Sequence, residues 1–324
     1  MRFAGLFRSL SLGLLILFAG PFASRAQDYP AKAVRVLVPY PAGGQSDIIM
    51  RLVADSLREQ FNSPFIVENR PGAATTLAAD VVARSPADGY TLLLAAASTT
   101  AIAPATIKNL SFDPSKLTPI TLIAKIPYIL VASKNFKPNT VAELVAYAKA
   151  NPGKINWATH GMGGAQHLTG EMFNRAAGVE MTAIHYQGSA PGTLDMIAGR
   201  IDIMFDGAGT GLVNVRSGQL KPIAMGSDAR AAGAPDLPTW KESGVNLSAY
   251  TWYGIFAPVG TPQPILEKLQ KAITVAIDSK AYKERLAQAE AEIPHMSIAE
   301  TVKFVADDAV AWRELIKSLN LKIE

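Results

Sequence analysis

The chain of 324 residues contains no cysteine, which excludes disulfides, thiolate metal sites, a cysteine nucleophile and cysteine-bound iron–sulfur clusters. The absence does not fix the compartment, because a core of this size needs no covalent staples. Charge is sparse as well: 18% of the residues are charged, against 49% hydrophobic. That balance is too apolar for a disordered chain and too polar for a polytopic membrane protein, so a soluble globular protein is expected. Histidine is scarce, and His160, His167, His185 and His295 match no metal-ligand spacing. No P-loop occurs, no internal repeat or low-complexity tract is visible, and no pair of carboxylates is spaced for acid–base work. The length and the lack of a polar linker fit two α/β lobes joined by several chain crossings.

A long uncharged run occurs at the start of the chain. Arg2 and Arg8 precede the apolar stretch Leu10 to Ala19, Gly20-Pro21 breaks it, and Ala23-Ser24-Arg25-Ala26 offers small residues before a cut. This is a secretory leader, and cleavage after Ala26 with a periplasmic destination is expected. The run is about half of the roughly 20 residues that span a bilayer, and no cysteine follows it to carry a lipid. Loss of Arg2, Arg8 and Arg25 lowers the formal charge from +4 to +1. The basicity therefore belongs mostly to the leader, and no nucleic-acid footprint remains.

The mature chain alternates strands and helices. The residues predict strands at Val34–Val38, Phe65–Glu68, Tyr90–Ala95, Ile155–Thr159, Met181–His185, Ile201–Phe205 and Lys221–Met225. Helices are expected after Gln45, at Thr76–Arg84, Ala165–Ala177 and Ala190–Ala198, and after Pro264. Capping boxes at Thr140/Glu143 and Ser297/Glu300 start two more. On the last helix Val302, Val305, Ala309, Trp312, Ile316 and Leu319 form a stripe expected to face the core.

Catalytic templates fail one by one. Gly44-Gln45-Ser46-Asp47-Ile48 is half a nucleophile elbow with Ile48 in the second glycine position, and Gly161-Met162-Gly163-Gly164-Ala165-Gln166 is a dinucleotide fingerprint with Gln166 for its last glycine. What recurs is glycine-rich backbone between a strand end and a helix start: Tyr40 to Ser46, Gly161 to Ala165, and Gln187-Gly188-Ser189. Helix starts carry unpaired N–H groups and partial positive charge, and glycine lets a ligand approach closely, so the three loops together suit carboxylates or other small anions. Asp47 is expected to stabilise its helix start rather than touch the ligand, and His185 to be structural.

Several segments, taken in order, resemble one family. They are Val38-Pro39-Tyr40-Pro41-Ala42-Gly43-Gly44-Gln45-Ser46-Asp47, Val67-Glu68-Asn69-Arg70-Pro71-Gly72-Ala73 and Ala87-Asp88-Gly89-Tyr90-Thr91-Leu92-Leu93, then Asn151-Pro152-Gly153-Lys154, the loop Gly161 to Leu168, and Tyr186-Gln187-Gly188. Asp202-Ile203-Met204-Phe205-Asp206, Pro235-Asp236-Leu237-Pro238-Thr239 and Trp252 to Pro262 complete the series. The chain thereby resembles the Bug/TctC family of periplasmic solute-binding proteins over nearly all of its mature length.

The resemblance implies an α/β type II periplasmic binding fold, two α/β lobes with a ligand cleft between them, with chain crossings near Lys125 and Ala249. Lobe 1 is then 27–125 plus 250–324, and lobe 2 is 126–249. It implies a receptor that binds a small carboxylate by hinge closure and delivers it to the membrane subunits of a tripartite tricarboxylate transporter, as a monomer, with no cofactor and no nucleic acid. Carried over by position, the ligand site is Tyr40, Ala42, Gly43, Ser46, Ser98 and Thr99 in the first lobe, and His160, Gly161, Gly163, Ala165, Gln166, Tyr186 and Asp206 in the second. Two positions depart from the family pattern: His160 stands where a small residue is usual, and Gly164 where serine or threonine is frequent. Tyr40 and Tyr186 are candidates to wall the ligand body, and His160 to supply a switchable donor or positive charge. A two-lobed α/β enzyme acting on a small carboxylate and a periplasmic sensor subunit stay open as alternatives, as does a regulator's effector domain, which the leader argues against.

Overall fold

The structure, a computed structural model, describes residues 29–186 and 188–319. The leader with its cleavage point, and Gln187 of the third glycine loop, lie outside the described residues. β1 (Val34–Val38), α1 (Gln45–Phe61), β2 (Phe65–Asn69), α2 (Thr76–Ala83) and β3 (Thr91–Ala95) follow one another as right-sized βα units. After a turn of π-helix at Ser98–Ile102 and the short α3 (Ala103–Thr106) comes β4 (Leu117–Ala132). Then follow α4 (Val141–Ala150), β5 (Asn156–Thr159), α5 (Ala165–Ala177), β6 (Thr182–His185), α6 (Ser189–Ile197), β7 (Ile203–Gly207), α7 (Ala208–Arg216) and β8 (Lys221–Met225). β9 (Tyr250–Pro258), α8 (Gln263–Ile277), α9 (Lys280–Ala287) and α10 (Ile298–Leu319) close the chain.

The strands run in the order β2-β1-β3-β9-β4-β7-β5-β6, with β8 also on β4. β1 pairs in parallel with β2 and β3, and β5 in parallel with β6 and β7. Between these parallel sets lie β9 and β4, antiparallel to all their neighbours. β4 serves both sides. Leu117 to Pro127 pairs with β9, and from Tyr128 onward the strand pairs with β7, with β8 joining from Ile129. The return crossing lies at the head of β9, where Tyr128 N–H donates to Ala249 C=O and Pro127 sits opposite Tyr250.

One apolar cluster runs through both halves, holding Val34, Ile49 and Leu92 together with Ala158, Met204 and Met225. A second cluster, built on Trp157, Phe173, Phe205 and Trp240, fills the half containing β5 to β8. The halves also meet through polar contacts: Gly233 N–H and Arg216 both engage Glu290, and Arg175 Nη1 donates to the Ser318 carbonyl at 2.8 Å. On α10, Val305, Trp312 and Ile316 pack against the core as expected, but Val302 is exposed and the fully buried Thr301 takes that face. Among the described residues no helix is long and apolar enough to cross a membrane.

Candidate functional site

The loops after β1 and β5 are built alike. Gly43 and Gly163 take left-handed conformations (φ 78° and 72°), and Gly44 and Gly164 follow in extended backbone and cap α1 and α5. In each loop the left-handed glycine donates its N–H to a side chain four residues on: Gly43 to Asp47 Oδ2 at 2.9 Å, Gly163 to His167 Nδ1 at 3.0 Å. Each helix then begins with a 3.0 Å bond, from Ile48 N–H to Gly44 C=O and from Leu168 N–H to Gly164 C=O. No side chain caps either start, so N–H groups of the first turn are left for a ligand. The likeness is invisible as a sequence repeat because only the glycines are shared, and the stapling residue is an acid in one loop and an imidazole in the other.

Three helix starts, those of α5, α6 and α7, converge on one carboxylate. α6 and α7 are also glycine-capped, by Gly188 and Gly207. Asp206, the penultimate residue of β7 and 1% exposed, receives Gly207 N–H at 2.9 Å and the Ser189 hydroxyl at 3.0 Å on Oδ1, the Thr210 hydroxyl at 2.6 Å on Oδ2, and Gln166 Nε2 at 3.5 Å. Burial raises its pKa against the pull of these donors. Ser189 opens α6 and Gln166 lies in the first turn of α5. From the other half, the Gln45 side chain at the head of α1 lies against Gly207 and Gly209, so close that a Cβ on Gly209 would stand 2.1 Å from Gln45 Nε2.

The first-half residues fall into two small networks. Tyr40 Oη and Ser98 Oγ are 2.8 Å apart, and the Tyr40 ring meets Tyr253 edge-on. Thr99, fully buried, shares a 2.8 Å bond with Thr75. Ala42 and Gly43 are exposed at the loop crest and Ser46 is buried. Burial pushes the Tyr40 phenol up to about 12 in spite of the Ser98 bond, and raises Tyr128 and Tyr253 further. These last two stand at the crossing strands, near both Tyr40 and Asp206. Asp47 is stapled as expected: burial alone would raise it, but bonds from Arg51, Gly43 and Asn69 outweigh burial and hold it below the usual range.

In the second half, His160 and Asp206 come together through a residue that the sequence placed in the third glycine loop but not among the carried-over site residues. Ser189 Oγ lies 2.6 Å from His160 Nε2. The His160 ring reaches solvent, yet desolvation by the surrounding protein lowers its pKa to about 4. The same holds for buried His167, lowered to about 4 by burial and by neighbouring His185, whose ring meets it edge-on at 4.9 Å. Gly161 takes φ 105° and Ala165 heads α5 as expected. Tyr186 is half-buried with its hydroxyl committed to Asp195 at 2.7 Å. Among the described residues no group of His, Asp and Glu can hold a metal ion. Ser189, Thr210, Gln45, Tyr128 and Tyr253 complete the site; the glycine loops pointed to Gln45 and Ser189 only as neighbours.

Two α/β lobes with a site of helix starts between them define the class: the fold is that of the periplasmic binding proteins. A solved periplasmic transporter superposes with a TM-score of 0.87 at 32% identity, over 91% of this chain and all of that one. The periplasmic binding protein BugD gives 0.83 at 35% identity, over 90% of this chain and 98% of its own. The model of the tripartite tricarboxylate transporter family receptor, TctC, matches residues 49–321. Protein BugT of Bordetella pertussis is 32% identical over 322 residues, 97% of each chain. The chain belongs to this Bug/TctC family of solute-binding receptors, which is not an enzyme family. Two relatives were solved with carboxylates: a protein of R. palustris with adipate (30% identity, TM-score 0.86, 90% of this chain and 98% of that one) and MatC from Rhodopseudomonas palustris with malate (30%, 0.82, 89% and 100%).

Proposed function

We propose that this protein is a periplasmic receptor that binds a small carboxylate between its lobes, closes on it and presents it to the membrane subunits of a tripartite tricarboxylate transporter, without transforming it. The observation that carries this reading is the pair of matching loops, in which α1 and α5, one in each half, each begin with uncapped N–H groups. Helix starts of this kind favour an anion through oriented N–H groups and the helix dipole. The lobes are taken as 27–125 with 250–324 and 126–249, moving about the two crossing strands. An open form gains little from either loop alone; a carboxylate touching both favours the closed form by its differential affinity. The site residues Tyr40, Ala42, Gly43, Ser46, Ser98 and Thr99 then act with His160, Gly161, Gly163, Ala165, Gln166, Tyr186 and Asp206. Malate and adipate, held by relatives, are the first ligands to try.

The test is a thermal-shift screen of the mature protein against mono-, di- and tricarboxylates and aromatic acids, since a ligand of the folded state at 100 times its Kd adds about 2.7 kcal/mol. At least one carboxylate is expected to raise the Tm and to be recovered unchanged. A flat response across the panel would sink the receptor reading, and consumption of a bound acid would put an enzyme in its place.

A further inference from the structure

The chain Asp206–Ser189–His160 has a direction. With Asp206 ionised, its Oδ1, which also receives the Gly207 N–H at 2.9 Å, can only accept, so the Ser189 hydroxyl 3.0 Å away spends its single proton on it. The Ser189 oxygen is thereby left as an acceptor toward His160 Nε2 at 2.6 Å, and that ring nitrogen must carry the hydrogen. A neutral imidazole has one N–H and one lone pair. The lone pair of His160 is thus on Nδ1, to which no described residue bonds, and the ring is exposed beside the starts of α5 and α6. The depressed pKa keeps the ring neutral at pH 7. In that state His160 cannot be the donor or positive charge for a second carboxylate that the sequence suggested.

We propose that His160, oriented by Ser189 and Asp206, is the residue that sets ligand specificity, its Nδ1 accepting a hydrogen bond from a hydroxyl or ammonium group on the ligand, so that the preferred ligands are hydroxy- or amino-substituted carboxylates. This rests on the carboxylate-receptor reading and narrows it. An unsubstituted acid would leave the acceptor unpaired once the lobes exclude water, and a second carboxylate would set its own lone pairs against it; both are selected against. The helix starts hold the carboxylate, and His160 reads what is attached beside it.

Pairs of acids differing by a single group test this: malate and aspartate against succinate, and citrate against tricarballylate, measured by isothermal titration calorimetry at pH 7. The substituted member of a pair is expected to bind at least about tenfold more tightly, the range one well-made hydrogen bond supports. His160→Leu should bring that ratio to within about twofold of one. Equal binding of both members by the unaltered protein, or a ratio that survives His160→Leu, would overturn the proposal. Independently of any ligand, nitrogen NMR of the ring should report hydrogen on Nε2 at pH 7, and Ser189→Ala should mix the two tautomers. Hydrogen on Nδ1 in the unaltered protein would overturn it. The correct tautomer with no acid bound by any pair would instead remove the receptor reading, and this proposal with it.

Discussion

At the scale of single residues, His167 does in one loop what Asp47 does in the other, with opposite dependence on acid. Asp47 accepts the Gly43 N–H as a carboxylate, and its charge also suits the start of α1. His167 accepts the Gly163 N–H on Nδ1 and can do so only while that nitrogen is unprotonated. Its pKa falls from the usual 6.5 to about 4 in the folded protein. Between those values the unfolded chain binds a proton that the folded one refuses, so stability from this group is full above 6.5 and is lost as pH falls toward 4. Urea unfolding at pH 7 and pH 4.5 should show His167→Gln, an acceptor that does not titrate, losing less stability than the unaltered protein, by on the order of 2 kcal/mol. Equal losses in the two proteins would show that the imidazole is not the acceptor. Titrating groups remote from His167, such as Asp308 raised to about 6 by burial, cancel in the comparison.

At the scale of elements, two glycines separate conformational need from space. Gly43 has nothing within 4 Å of where a Cβ would sit, but its φ is 78°. Gly170 lies inside α5 with helical backbone, and a Cβ there would stand 2.3 Å from the Trp157 ring. Gly43→Ala should therefore lower stability by about 1 kcal/mol through backbone strain. Gly170→Ala should cost about 1–3 kcal/mol by overpacking although alanine favours helix. Chemical denaturation of both variants checks this, and a neutral Gly170→Ala would mean that α5 does not rest on Trp157.

The same elements show what was legible in the sequence. The bounds of β1, α5 and β8 coincide with those expected, because glycine or proline turns and clear periodicity delimit them. β4 has no counterpart among the expected strands, and Pro119 and Pro127 interrupt its β pattern; the sheet absorbs Pro119 at a shift of register between Pro119 and Thr121. α7 has no counterpart among the expected helices, and Gly207, Gly209 and Gly211 weaken any helical signal there. Packing explains the exception: a Cβ on Gly211 would come within 2.4 Å of Ile129, so glycine lets the helix lie directly on β4. Of the candidate site, the glycine loops were legible in the residues themselves and Asp206 only through the family resemblance. The roles of Ser189, Tyr128 and Tyr253 were not, because they arise from strand order, which sets β9, β4, β7, β5 and β6 side by side across long sequence separations.

At the scale of the molecule, β4 is part of both halves of the sheet and crosses between them without a break. The largest apolar cluster likewise draws residues from both halves. The proposed hinge would bend where β4 exchanges β9 for β7 and β8, while β4 keeps a ladder partner on either side of that point. Melting one half would strip ladder partners from the strand that the other half needs. Heating should therefore give a single calorimetric transition whose enthalpy equals the van't Hoff value, and two resolved transitions would contradict this coupling. On the proposed receptor reading, opening for ligand exchange and loss of structure are then separate events: the lobes would part repeatedly in service, but unfold together.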